Sequence, residues 1–397
     1  MRPTELMRGA PPSAECQVSL ANWREAPYSS WSFHNLRRLL PTEELAGCPS
    51  GRPYDLRSRD LNQLPVTGET GAPSSLTALL AETYTSGFLV LHRGELVYEW
   101  YDRGLSAERP HVIFSVTKSV AGALVGILAE RGLLDPEGPI VDLLPEVAGS
   151  AYGDATIRHL LDMTVGTGFV EDYENPTPEY LAYRAASGWN PSPDRDRLDQ
   201  RSFLTGLSPG GPPHGYAFHY VSPNSDLLGW VIERAAGVSF AELLSREIWQ
   251  PMGAEGEAYI TVDRLGAPRT AGGLCVTGRD LARFGELMRL RGCLNGKQIL
   301  PRWWVDDIYS AGDREAWQRG DFAQFLPQGC YRSKWYKMGD AEGSLFGIGI
   351  HGQWLFIDPK HETVIVKLSA HPVASNEGAD KVLVAAFKKI SATLASY

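Results

Sequence analysis

The sequence predicts an α+β fold of two lobes, an antiparallel sheet flanked by helices with a mostly helical lobe inserted into it. Three observations predict it. First, "GFLVLHRGELVYEWYDRG", residues 87–104, alternates apolar and polar positions about a short "HRGE" turn, the signature of a β-hairpin. Second, residues 133 to about 310 turn mostly helical, with apolar residues at helical spacing between polar or glycine boundaries. Third, strands return late, in "FGIGIHG", "QWLFIDP" and "ETVIVKLSA", before a closing helix from about residue 377.

Taken in order, residues 1–75 form an irregular N-terminal segment that is expected to pack on the core; it is rich in Pro, Gly and Arg, and "PPSAECQ" and "TGETGAPSS" read as loops. "SLTALLAETYTS" is a helix leading into the hairpin. "FSVTKSVAGALVGILAERG" follows as a long apolar helix that stops at Gly132, a C′ residue. These elements, residues 76–132, join with 311–397 as one lobe; residues 133–310 form the other, and the active site is expected between them. Within the second lobe, "TIRHLLDMTV", "SDLLGWVIERAAG", "SFAELLSREIWQPM" and "TGRDLARFGELMRLRG" are helices. Between them "GWNPSPDRDRLDQRS" and "SPGGPPHG" form a long irregular tract, and the 165–215 region is expected to rim or cover the site.

With 397 residues, 43% hydrophobic, the chain buries a sizeable core. Its net charge of -9 gives no footprint for nucleic acid. No apolar stretch has spanning length, and the N-terminus lacks the apolar core of a signal peptide, so no membrane partner and a cytoplasmic location are expected. Five scattered cysteines without CxxC spacing fit a reduced protein and no zinc site. "KHETV" lacks the second histidine of HExxH, so no metal is expected, and without a P-loop or GxGxxG no nucleotide cofactor is either. The absence of GxSxG disfavours an α/β-hydrolase nucleophile.

Chemistry concentrates at the start of the apolar helix. Val116 to Ala129 carry one charge, Lys118, three residues after Ser115. Residues three apart share a helix face, so serine and lysine point together. Ser115 stands where free backbone N–H groups favour developing negative charge. A lysine whose pKa is lowered by desolvation can take the serine proton. The structural alternative is a serine N-cap and a snorkelling lysine.

Several ordered motifs extend this pattern. "FSVTKS", "GLLDPEGPIVDLLPE", "ATIRHLLDMTVGTG", "LLGWVIERAAGVSFAELLSREIWQPMG" and "HGQWLFIDPKHETVIVKLSA" resemble the serine β-lactamase-like superfamily in its class C and esterase branch, over roughly residues 80–395. "NWREAPYSSWSFHNL", "GFVEDYENP" and "GIGIHGQ" bring it closer to the members of that branch that cleave linear aminohexanoate oligoamides. The resemblance implies that Ser115 is the acylated nucleophile and Lys118 its base partner. It implies that Tyr220, as a tyrosinate or bonded to Lys118, relays the proton. The N–H groups of Ser115 and Ile350 would form the oxyanion hole. Tyr173 would contact the substrate amide, with a loop aromatic as its structural alternative.

The chain departs from the pattern at several positions. Ser222 stands where the superfamily has asparagine, and Gly347-Ile348-Gly349 where it has Lys-Thr-Gly. Loss of that lysine argues against penicillin hydrolysis, and the glycines are expected to open the strand to bulkier or uncharged substrates. His351 either lines the site or is a satisfied strand histidine. Arg184 replaces an aspartate that holds the substrate ammonium in oligoamide hydrolases, and Ala271 replaces a polar substrate contact. The reading is a hydrolase of small-acyl carboxylic esters, with an aminohexanoate oligoamide hydrolase and a non-catalytic peptide binder as alternatives. No cofactor is expected, and the resemblance implies a homodimer.

Overall fold

The computed structural model describes residues 5–48, 54–194, 196–310 and 312–396. The first residues of the N-terminal segment, the 49–53 stretch within it and position 195 of the long tract lie outside the described residues. A seven-stranded antiparallel sheet runs in the order Cys330–Arg332, Trp335–Lys337, Leu345–Gly349, Gln353–Asp358, Thr363–Ser369, Thr85–His92 and Glu95–Tyr101. The early hairpin and the three late strands thus pair across the sequence, with Thr363 opposite His92 and Lys367 opposite Phe88.

Both faces of this sheet are covered, which is why its central strands read as nearly continuous apolar runs. Side chains alternate along each strand. Val364, Val366 and Leu368 face the core that includes the Val116–Glu130 and Gly278–Arg289 helices. Ile365 faces the other way with Phe88, Trp354 and Phe356, against Leu383, Phe387 and Ile390 of the closing helix Glu377–Leu394. The Val116–Glu130 helix is buried from Val116 to Leu128. A helix apolar on all sides belongs at the centre of a fold, and this one runs through it.

A second antiparallel sheet was not expected from the sequence. It has four strands in the order Thr42–Leu45, Ala258–Thr261, Leu274–Val276 and His111–Val112. Each is two to four residues long, too short to show alternation, and its partners are distant in sequence, as with Thr42 opposite Thr261. This small sheet delivers the chain to Ser115: Ile113 N–H donates to Leu274 O at 3.0 Å just beyond the last strand. Both ends of "TGETGAPSS", read as a loop, prove to be strand: Pro73–Ser75 pairs with Pro65–Thr67. The 165–215 tract contains two helices, Pro178–Ala186 and Gln200–Thr205. Among the described residues no helix is long and apolar enough to cross a membrane, and no group of three His, Cys, Asp or Glu side chains is placed to hold a metal ion.

Candidate active site

Ser115 stands at the head of the central helix without a side-chain cap bond, and Phe114 before it has φ 43°, a left-handed conformation unfavourable for a bulky residue. Its ring is held by packing: Phe33, Trp23, Trp189 and His351 surround it with centroids 4.9, 6.3, 6.0 and 5.5 Å away. The first turn follows at once, with Val116 N–H donating to Ile113 O and Lys118 N–H to Ser115 O. Lys118 Nζ lies 2.8 Å from Ser115 Oγ and donates to Ala271 O at 2.6 Å. The lysine is 1% exposed. Burial lowers its amine to about 8, against the opposing pull of Glu171 and Asp226.

The carbonyl that holds Lys118 is itself fixed from behind. Ala271 N–H donates to Asp226 Oδ1 at 2.8 Å, and Asp226 is ion-paired with buried Arg269 and accepts from the Tyr183 hydroxyl. Arg269 stacks over Tyr183 and Trp189. Ala271 therefore serves through its backbone; its side chain is buried.

Tyr220 brings its ring to 5.0 Å from Lys118 Nζ. Burial and then Glu171 push its phenol well above its ordinary value, while a side-chain hydrogen bond with Ser115 pulls the other way. The raised phenol favours its protonated form over the tyrosinate. Tyr173 donates to Glu171 Oε1, and Ser222 donates to the same carboxylate through its N–H and, at 2.8 Å, its hydroxyl. Ser222, at the head of the Pro223–Ala236 helix, is therefore occupied by Glu171. Sequence reasoning missed Glu171, although an acid two residues before Tyr173 was a visible signal.

The Leu345–Gly349 strand passes against the helix start. A Cβ on Gly349 would stand 2.7 Å from Ile113 O and 3.0 Å from Ser115 N, and one on Gly347 would be 3.0 Å from Ser119 Oγ. These glycines were expected to open the strand to bulkier substrates; instead the helix fills that space and the strand needs them for close approach. Beyond the strand, Gln353 Nε2 donates to Ile350 O, His351 O and Ser369 O, fixing the turn. Among the described residues neither Ser115 N–H nor Ile350 N–H donates to a carbonyl. His351 is buried with φ 62°, its Nδ1 paired with His371 O, and burial lowers its imidazole to about 4.

A cavity of about 400 Å³ opens on Ser115. Tyr173, Tyr220, Gly349 and Ile350 line it, with Lys118 one hydrogen bond behind Ser115. Arg184, Ser222, Ala271 and His351 lie outside its lining. Arg184 is spent on Asn190, at 3.2 Å, and on the face of Tyr180.

A buried lysine of lowered pKa on a serine, with a protonated tyrosine beside them, is equipped for acyl transfer. Residues 78–387 match the Beta-lactamase family model. The chain is 36% identical to 6-aminohexanoate-dimer hydrolase of Paenarthrobacter ureafaciens, over 91% of this chain and 90% of that one. It is 28% identical to esterase EstB of Burkholderia gladioli, over 44% of this chain and 47% of that one. A solved structure from Bacillus anthracis, described as a candidate 6-aminohexanoate-dimer hydrolase, superposes with a TM-score of 0.87 at 29% identity, covering 97% of this chain and 99% of that one. The chain belongs to the beta-lactamase family and is a hydrolase of that family, with its β-lactamase/transpeptidase-like α+β fold.

Proposed function

We propose that the chain hydrolyses carboxylic esters of small acyl groups through an acyl-enzyme on Ser115. The observation that carries this is the 2.8 Å contact between Ser115 Oγ and a buried amine lowered to about 8. Lys118, when neutral, takes the Ser115 proton across that contact as Oγ attacks the carbonyl carbon. The developing oxyanion is received by the N–H groups of Ser115 and Ile350. Tyr220, hydrogen-bonded to Ser115, passes its proton to the departing group and is reprotonated by Lys118, which is neutral again; water then attacks the ester on Ser115, giving a proton to Lys118, and that proton returns to Ser115 Oγ as the acid leaves.

Esters are favoured over amides on two grounds. An alkoxide or phenolate leaves with little help, whereas an amine must be protonated in a closely held geometry. Arg184, which stands at the position of the ammonium-binding aspartate, lies outside the cavity lining and is held by Asn190, and the cavity carboxylate Glu171 is engaged by Tyr173 and Ser222, so neither offers an ammonium site. A second reading, hydrolysis of the 6-aminohexanoate linear dimer, is favoured by the 36% identical relative of that name. A non-catalytic peptide binder has no need of a base-activated serine.

Steady-state kinetics on p-nitrophenyl butyrate and on the 6-aminohexanoate dimer separate these readings. The ester should be turned over and the dimer cleaved poorly, with Ser115→Ala abolishing both. Arg184→Asp should raise kcat/KM on the dimer by roughly tenfold if that position reaches the ammonium end. Dimer turnover exceeding ester turnover in the unaltered protein would establish the second reading instead. A Ser115→Ala protein that kept full ester turnover would end both.

A further inference from the structure

Beside Tyr220 stands a histidine that the hydrolytic steps do not use. His219 lies where three stretches of chain meet, and with Asp321 it lines the catalytic cavity. Its backbone N–H donates to Met163 O at 2.7 Å, and its Nε2 donates to Phe169 O at 2.9 Å. On the other side of the ring, Nδ1 donates to Asp321 Oδ2 at 3.0 Å. The same Asp321 oxygen accepts the N–H of Tyr220 at 2.9 Å. Asp321 follows the Arg314–Gln318 helix, and two backbone bonds lay this stretch along Phe218. Phe218 N–H donates to Ala316 O at 2.9 Å, and Asp321 N–H donates to Phe218 O at 3.3 Å.

Both ring nitrogens of His219 face acceptors. Phe169 O can only accept, and Asp321 Oδ2 already accepts from Tyr220, so each nitrogen carries a proton and the ring is an imidazolium. The hydrogen bond with Asp321 raises its pKa above the ordinary value; burial opposes this, and the bond to Phe169 O and the negative charges of Asp321 and Glu171 add to it. Glu171 stands two residues beyond Phe169 and holds Ser222, two residues beyond Tyr220. The stretches that carry Glu171 and Tyr220 are thus pinned together twice, by Glu171 on Ser222 and by His219 on Phe169 O. Among the described residues the His219 ring bonds only to Phe169 and Asp321, so it acts through Tyr220 and not on the reacting atoms.

We propose that His219, clamped between Phe169 O and Asp321, is a positioning residue that holds the Tyr220 phenol on Ser115 for proton delivery to the leaving group. This rests on the hydrolase reading for the step it serves. With the clamp open, Tyr220 keeps its packing against Phe218, Phe322 and Tyr336, but its backbone is no longer tied to a fixed carboxylate. The phenol then wanders from Ser115, and proton delivery suffers while the cavity walls that bind substrate stay. An alkoxide is far more basic than p-nitrophenolate and gains more from that proton, so the defect depends on the leaving group.

Kinetics on ethyl butyrate and p-nitrophenyl butyrate, with NMR of the histidine ring nitrogens, test this. His219→Phe keeps a ring and removes both donors; Asp321→Asn leaves an oxygen for the Tyr220 N–H and removes only the charge. His219→Phe should lower kcat on ethyl butyrate on the order of tenfold, leave KM within about twofold, and lower kcat on p-nitrophenyl butyrate clearly less. Asp321→Asn should act in the same direction by a smaller factor, and it keeps the result decidable if His219→Phe fails to fold. In the unaltered protein His219 should lose its second ring proton at a higher pH than an ordinary histidine, and Asp321→Asn should bring that pH down. Equal losses on both esters, a raised KM with kcat kept, or a His219 that titrates as an ordinary histidine would overturn the clamp. Full turnover of ethyl butyrate in both variants defeats this inference alone. An unaltered protein that cleaves no ester or amide defeats the hydrolase reading, and with it the step assigned to His219.

Discussion

In the proposed mechanism Lys118 is the base, and its surroundings let it lose a proton more readily than an ordinary lysine without stranding it. Burial lowers its amine to about 8, and Ala271 O, fixed by Asp226, keeps one N–H satisfied. The active form is the unprotonated one, so kcat/KM for p-nitrophenyl butyrate should rise with pH along a limb centred near 8. Glu171 is the largest influence holding that value up, since a nearby negative charge favours the ammonium. Glu171→Gln should therefore move the limb to lower pH; a pH–rate profile that stays in place would show that Lys118 is not the titrating base. Ser115 and Lys118 were legible in the sequence from their spacing on one helical face, and Tyr220 from its place before the Leu227-Leu228-Gly229 run. Asp226 was not singled out, because what it does depends on Tyr183, Arg269 and Ala271, far along the chain, and Glu171's bond to Ser222 was hidden in the same way although its neighbour Tyr173 was in view.

At the scale of elements, the site is where the Leu345–Gly349 strand meets the start of the Val116–Glu130 helix. Gly349→Ala places a methyl 2.7 Å from Ile113 O and 3.0 Å from Ser115 N, both backbone atoms that cannot swing aside. The strand must move off, carrying Ile350 N–H with it. Ester kcat should drop on the order of a hundredfold to a thousandfold, the usual effect of losing one oxyanion donor. Circular dichroism should stay unchanged, and near-normal kcat would remove Ile350 from the mechanism. The helix, the early hairpin and the three late strands were readable because each is long and strongly patterned. The Cys330–Arg332 and Trp335–Lys337 strands were not, for a local reason: their turn is Ser333-Lys334, at φ 46° and 70°, with none of the Gly, Asn or Asp that normally announces two such residues.

Across the whole molecule, the N-terminal segment proves to be part of the active-site support. Trp23 and Phe33 pack on Phe114, Trp23 Nε1 donates to Trp189 O at 3.1 Å, and Phe33 also meets His351 at 5.2 Å. One aromatic cluster thereby links the segment, the 165–215 tract, the residue before the nucleophile and the turn after the oxyanion strand. Nothing in the composition of residues 1–75 signals these contacts, since their partners lie far along the chain. Trp23→Ala should cost about 3–5 kcal/mol of stability, read by chemical unfolding, and lower ester turnover under folded conditions. Retained turnover with only a stability loss would mean that Phe114 holds its left-handed conformation unaided. The central claim is that Ser115 carries the acyl group, and mass spectrometry of the protein quenched during turnover of a slow ester tests it most directly. The account predicts a mass increase equal to the acyl group, mapped to the peptide containing Ser115 and missing from Ser115→Ala. Turnover with no such adduct, or an adduct on another residue, would contradict it.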